Sequence, residues 1–107
     1  MIPSVGRIVH IRLSAECAQS INRRRSGSRI DVSQPTSPEP QYGQVFHGNV
    51  ATEGDIYPLL ITRIWSNNPT ELTAVNGQIF LDGNDSYWAT SVQQGDGPGK
   101  WFEPPRV

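Results

Sequence analysis

Residues 7–13 run Arg-Ile-Val-His-Ile-Arg-Leu, a short β-branched stretch that predicts a first strand. Val9, Ile11 and Leu13 share one face of it, and Ile8, His10 and Arg12 share the other, because strand side chains alternate. The period then changes. Cys17, Ala18 and Ile21 recur at helical spacings of three and four, behind a plausible N-cap at Ser14, which predicts a helix ending near Arg25. Glu16 in its first turn and Arg23, Arg24 and Arg25 in its last complement the helix dipole. The apolar stripe is thin, so this helix needs a sheet to pack on.

From residue 26 to residue 55, Ser, Pro, Gly, Gln and Thr dominate, and Pro35, Pro38 and Pro40 interrupt regular structure. Val45, Phe46 and Val50 are the candidate anchors in what reads as a long irregular loop, mobile over at least its first half. Residues 59–65 are apolar on both faces, as in a central strand. Residues 75–81 and 87–92 flank Asp82-Gly83-Asn84-Asp85, whose Gly-Asn pair tolerates positive φ and predicts a hairpin. A reversal at Gly95-Asp96-Gly97-Pro98-Gly99 then leads to a short closing strand at Lys100-Trp101-Phe102. The fold class expected is α+β, mainly β: a small curved antiparallel sheet or partial barrel of four to five strands, with one N-terminal helix and a long loop over 26–55. All of it forms one domain, 1–107.

The length of 107 residues suits that reading, since a chain of this size buries roughly 65% of its unfolded surface. Cys17 is the single cysteine, which excludes an intramolecular disulfide. Without a signal peptide or a long apolar run, a soluble protein of the cytoplasm is expected, with no membrane contact. Charge is what sharpens the picture. The net charge is −1, yet residues 1–30 hold six arginines against one glutamate and the remainder holds three cations against nine carboxylates. A cationic cluster on a neutral chain suits a compact anion, and the acidic remainder argues against a nucleic-acid track.

Arg23, Arg24 and Arg25 offer planar forks for phosphate or carboxylate oxygens, and Asn22 can bond a base or ribose. The plain alternative is a solvated helix end. Consecutive helical residues point about 100° apart, so one subunit cannot aim all three arginines at one ligand. Trp65, Trp88 and Trp101, with Tyr57, Tyr87 and Phe80, can stack on a base or fill a core. Tyr87 and Trp88 face opposite ways on their strand, so one of them leaves the core. Asp82, Asn84 and Asp85 do not match an EF-hand spacing, and the stretch ending Gly99-Lys100-Trp101 lacks the Ser or Thr of a phosphate loop. His10, His47 and Cys17 come with no nucleophile motif. No enzyme, metal or cofactor is expected.

Four segments carry a resemblance: Ile2-Pro3-Ser4-Val5-Gly6-Arg7-Ile8-Val9-His10, the run from Leu13 through Ile21-Asn22-Arg23-Arg24-Arg25, Phe80-Leu81-Asp82-Gly83-Asn84-Asp85, and Gly95-Asp96-Gly97-Pro98-Gly99-Lys100-Trp101. Together they resemble small proteins encoded by tailed bacteriophages and prophages, which share this start, this arginine helix and a Gly-Trp-Pro-Arg-Val-like tail. The ending here, Trp101-Phe102-Glu103-Pro104-Pro105-Arg106-Val107, is close to that tail. The resemblance implies phage origin and a place in the host cytoplasm, and it transfers no catalytic or binding residue. Small non-enzymatic phage proteins often serve host takeover or anti-defence, and one class sequesters nucleotide-derived immune signals. The resulting expectation is a sponge for a small anionic nucleotide-type ligand. Arg23, Arg24 and Arg25 would hold its phosphates, Asn22 would contact base or ribose, and Trp88 or Trp101 would stack. A thin helix on one small sheet makes a shallow pocket, so the site is expected at a homo-oligomer interface. The alternative is a structural or interaction protein, either a minor virion component or an inhibitor of a host protein.

Overall fold

Residues 1–28 and 47–105 are described by the computed structural model, the side chains of 26–28 excepted. Their elements are β1 (Ile8–Arg12), α1 (Ala15–Ser28), β2 (Ile56–Ile64), β3 (Val75–Phe80), β4 (Ser86–Val92) and β5 (Trp101–Phe102). The strands form one antiparallel sheet in the order β4-β3-β2-β1-β5, an α+β architecture dominated by β as the sequence predicts. The chain just after β4 pairs with β5 through a parallel bridge between Gln94 and Trp101. Because β4 and β5 stand at opposite edges, that bridge requires the sheet to curl.

One face of the sheet makes the core. Val9 and Ile11 of β1, Leu59 and Ile61 of β2, Val75 and Ile79 of β3 and Trp101 of β5 are buried together with Leu13, Ala18 and Ile21. Each fully buried Leu or Ile contributes about 1.5–3 kcal/mol relative to exposure. Ser14 caps α1 as expected: its Oγ accepts the Cys17 N–H at 3.1 Å, and its carbonyl takes the Ala18 N–H at 3.0 Å.

Several boundaries move for physical reasons. The helix runs to Ser28, three residues past the expected end. β2 begins at Ile56 and carries Pro58, which sequence logic keeps out of a central strand. Pro58 is tolerated because β3 pairs β2 only from Leu59 onward, so Ile56, Tyr57 and Pro58 have β1 as their one neighbour. The β3–β4 hairpin forms, but Gly83 and Asn84 are not among the residues with positive φ. Its glycine serves close approach instead. Gly48 and Gly83 bridge two backbones, and a Cβ on Gly48 would lie 2.6 Å from the Gly83 Cα.

Most of the expected mobile stretch, with Val45 and Phe46, lies outside the described residues. Its far end is tied down. His47 N–H donates to Asn84 Oδ1 at 2.9 Å, and Asn49 N–H donates to the Asp82 carbonyl at 2.9 Å. Val50 is exposed rather than an anchor, and its neighbour Ala51 enters the core in its place.

Candidate functional site

The end of α1 gathers the residues that the sequence singled out, and it gathers them as a clamp. Arg25 lies three to four residues beyond Ile21 and Asn22, on the same stripe as Ala18, so helical geometry turns it inward. It is 4% exposed. Its Nε and Nη2 donate to the two oxygens of Asp85 at 3.1 and 2.9 Å, and its Nη1 donates to the Asn49 carbonyl. Arg24 Nη2 donates to Asp85 Oδ2 at 2.7 Å, and its guanidinium lies 5.5 Å from the centre of the Tyr87 ring. The Asp85 side chain is wholly covered. Burial alone would raise its pKa, but the hydrogen bonds and charges of Arg25 and Arg24 prevail and hold the carboxyl below its ordinary value.

Asn22 completes the clamp. Its Nδ2 donates to the Ala51 carbonyl at 2.8 Å while its Oδ1 accepts the Ala51 N–H at 2.9 Å. The amide thus acts as one rung of a strand ladder, joining the chain that enters β2 to the helix. Asn22, Arg24 and Arg25 are therefore engaged within the fold and do not form the expected anion site. Arg23, on the opposite side of the helix, is exposed. Trp101 is also corrected: it is fully buried in the core, where no base can stack on it. The hairpin polar groups are engaged likewise, with Asp82 accepting from Asn49 Nδ2 and Asn84 accepting from the His47 N–H. Among the described residues no three His, Cys, Asp or Glu side chains gather as a metal site.

Trp88 is placed differently. It is 60% exposed on the outer face of the sheet, away from the core. The register aligns it with Gln78, Leu60 and Ile8 in a row across four strands. Two shorter rows flank it, Ser86 opposite Phe80 on β4 and β3, and Pro58, His10 and Phe102 across β2, β1 and β5. Ile8, Ile56, Phe80 and Trp65 add further exposed apolar surface. Arginines stand at two corners. The Arg63 guanidinium lies 4.0 Å from the Trp65 ring centre, and the Arg12 guanidinium lies 5.4 Å from that of Phe102. His10 meets Phe102 edge-on at 5.7 Å. None of the five strands contains an Asp or Glu.

A device in the sheet holds one corner of this face. Register shifts occur in β2 near Thr62 and in β4 near Ser91, both opposite Asn76. Asn76 Oδ1 accepts the Trp65 Nε1–H at 2.9 Å and the Ser91 N–H at 2.8 Å. Ser91 adopts φ 54°, the left-handed region, which Asn76 supports through that bond. One buried amide so fixes the indole of Trp65 and the bulge of β4 together.

On the inner side, a groove of about 250 Å³ opens between β4 and the β1–α1 junction, lined by Ile11, Ser14, Cys17, Tyr87 and Ala89 among others. Burial pushes the Cys17 thiol up from its ordinary value.

The face was only partly visible in the sequence. The outward position of Ile8, His10 and Arg12 follows from alternation, but the meeting of β1 with β5, which places Phe102 beside His10 and Arg12, does not. Comparison of the chain with protein-family models, curated proteins and solved structures finds no match in any of the three.

Proposed function

We propose that this chain is a non-enzymatic binding module for a nucleotide-type ligand, a base carried on phosphate, and that the outer face of the sheet is its working surface. The observation that supports this is the composition of that face: Phe80, Trp88 and Phe102, with Trp65 just past β2, beside Arg12, Arg63 and His10, on strands without a carboxylate. Aromatic faces accept bases by stacking, worth about 1–3 kcal/mol per base, and guanidinium groups meet phosphate oxygens. The resemblance to phage proteins supports a setting in the host cytoplasm, where capture without turnover would withdraw a nucleotide-derived signal or cover a nucleic-acid intermediate. Assembly into a homo-oligomer would multiply such faces.

The test is a thermal-shift panel of cyclic di- and trinucleotides, ADP-ribose derivatives and short oligonucleotides. A ligand present at 100 times its Kd adds about 2.7 kcal/mol to stability, a rise on the order of 10 °C for a domain near this size. A panel in which no nucleotide of any length raises Tm rejects the reading. A second reading, docking onto another protein, draws on the exposure of Ile8 (57%) and Ile56 (47%). It predicts a stable complex that nucleotides do not displace.

A further inference from the structure

We infer that the outer sheet face takes single-stranded DNA, several nucleotides at a time, rather than one compact nucleotide; this rests on the nucleotide reading above and deepens it. The first ground is spacing. Trp88 lies on β4 and Phe102 on β5, at opposite ends of the strand order, and Phe80 lies between them on β3. Neighbouring strands are about 4.8 Å apart, so these aromatics spread over roughly 15–20 Å of sheet. A mononucleotide reaches one of them, or two. A strand crossing the sheet reaches all three, which suits a site of about four nucleotides or more.

The second ground is charge. The acidic remainder of the chain argues against a polyanion only while its carboxylates are taken to surround the site. Among the described residues none of them lies on a strand of the sheet: Glu16 is on α1, and Glu53, Asp55, Glu71, Asp82, Asp85, Asp96 and Glu103 are outside every strand, Asp96 standing at the Arg12 corner, where its carbonyl accepts from Arg12 Nε at 3.0 Å. Asp85 is further neutralised by Arg24 and Arg25. Arg12 pairs with Ile56, so Arg63 stands roughly 23 Å away along β2, a spacing that suits phosphates several nucleotides apart on one strand and not a single terminal phosphate.

The third ground is the surface between the aromatics. Ile8, Ile56, Pro58 and Leu60 offer apolar contact to deoxyribose and to thymine methyl groups. A duplex keeps its bases stacked on one another and gives this face nothing to stack on, so single strands are selected.

The experiment is fluorescence anisotropy with a labelled oligothymidylate of ~12 nucleotides, a length within the range such sheets cover. Thymidine monophosphate, the matching duplex and oligouridylate compete, and tryptophan quenching is followed in parallel. The single strand is expected to bind at least ~10-fold more tightly than monophosphate or duplex, and Trp88→Ala to weaken it ~10-fold. Affinity is expected to fall with added salt, with a slope reduced by about 0.7 in Arg63→Ala. Arg23→Ala, on the helix, is expected to leave binding unchanged. Equal binding of monophosphate and oligomer overturns the strand inference and leaves the nucleotide reading standing. Absence of binding by every nucleotide overturns both. Tighter binding of oligouridylate overturns the choice of DNA, and binding indifferent to Trp88→Ala and Arg63→Ala overturns the placement on this face.

Discussion

Arg24 and Arg25 stand side by side in the sequence and close on one carboxylate, whereas Arg12 and Arg63 stand far apart and each lies against an aromatic ring on the open face of the sheet. The first pair is adjacent to a third arginine and catches the eye as an anion site. In the fold both guanidinium groups close on Asp85, which balances one of the two charges, and the side chain of Arg25 is 5% exposed. The second pair forms no cluster in the sequence, yet it shares a sheet whose strands carry no carboxylate. Local charge density thus marks where cations are made. Whether the chain itself supplies their counter-charge decides where they are available.

The comparison breaks most sharply at the clamp. Asp85→Ala removes the carboxylate that both arginines share and leaves the buried guanidinium of Arg25 uncompensated. Breaking a buried pair from one side costs about 3–5 kcal/mol, so urea denaturation should show a loss of that size and Tm should fall by 10 °C or more on the order-of-magnitude scale for such domains. Arg25→Ala should match it from the other side. The Arg25→Met, Asp85→Leu double variant should recover much of the loss, because apolar replacement of a whole buried pair is often neutral. Were Arg25→Ala to leave stability unchanged, the clamp would be a surface feature after all.

Acid opens the same clamp without mutation. The Asp85 carboxyl titrates lower in the folded chain than in the unfolded one, so its contribution is complete above the ordinary value of 3.8 and is lost as pH falls through the folded value. Melting curves should therefore fall away below about pH 4, and fall less in the Arg25→Met, Asp85→Leu variant. A smaller loss is expected from Asn22→Ala, which leaves the N–H and carbonyl of Ala51 without their side-chain partners. About 1–3 kcal/mol is the ordinary cost of such orphaned groups. Hydrogen exchange should show faster exchange at the Ala51 amide in that variant, a local signature that general destabilisation does not give.

The strands, the capped helix and the hairpin were legible because each is written in local pattern: alternation in residues 8–12, Ser14 ahead of a helical stripe, turn residues between β3 and β4. The buried role of Asn22 and Arg25 was legible in principle. Both fall on the stripe of Ala18 and Ile21, where polar side chains must find partners, and Arg23 falls on the far side. What the stripe cannot say is who the partner is. Asp85 is 60 residues from Arg25, and only the curl of the sheet brings them together. Trp101 illustrates the same limit, since an indole in a two-residue strand is buried or exposed according to what covers β5. The outer face was the least legible part, because it is assembled from single residues of five strands whose order is not written locally.

The smallest stability change is expected at the residue with the largest proposed role. Trp88 is 60% exposed, is paired across the sheet with Gln78, and belongs to no core cluster. A surface substitution of this kind ordinarily shifts stability by no more than about 0.5 kcal/mol in either direction. Trp88→Ala should therefore melt with the parent chain, within about 4 °C, while it weakens capture of an oligonucleotide by about tenfold. Trp101→Ala should do the reverse, losing about 3–5 kcal/mol as a fully buried indole becomes a cavity. The pair separates the two uses of tryptophan in this chain by measurement. If Trp88→Ala unfolded the protein, the indole would be covering something that the sheet needs covered. The outer face would then be a hydrophobic lid, and the arginines at its corners would serve the fold as Arg24 and Arg25 do.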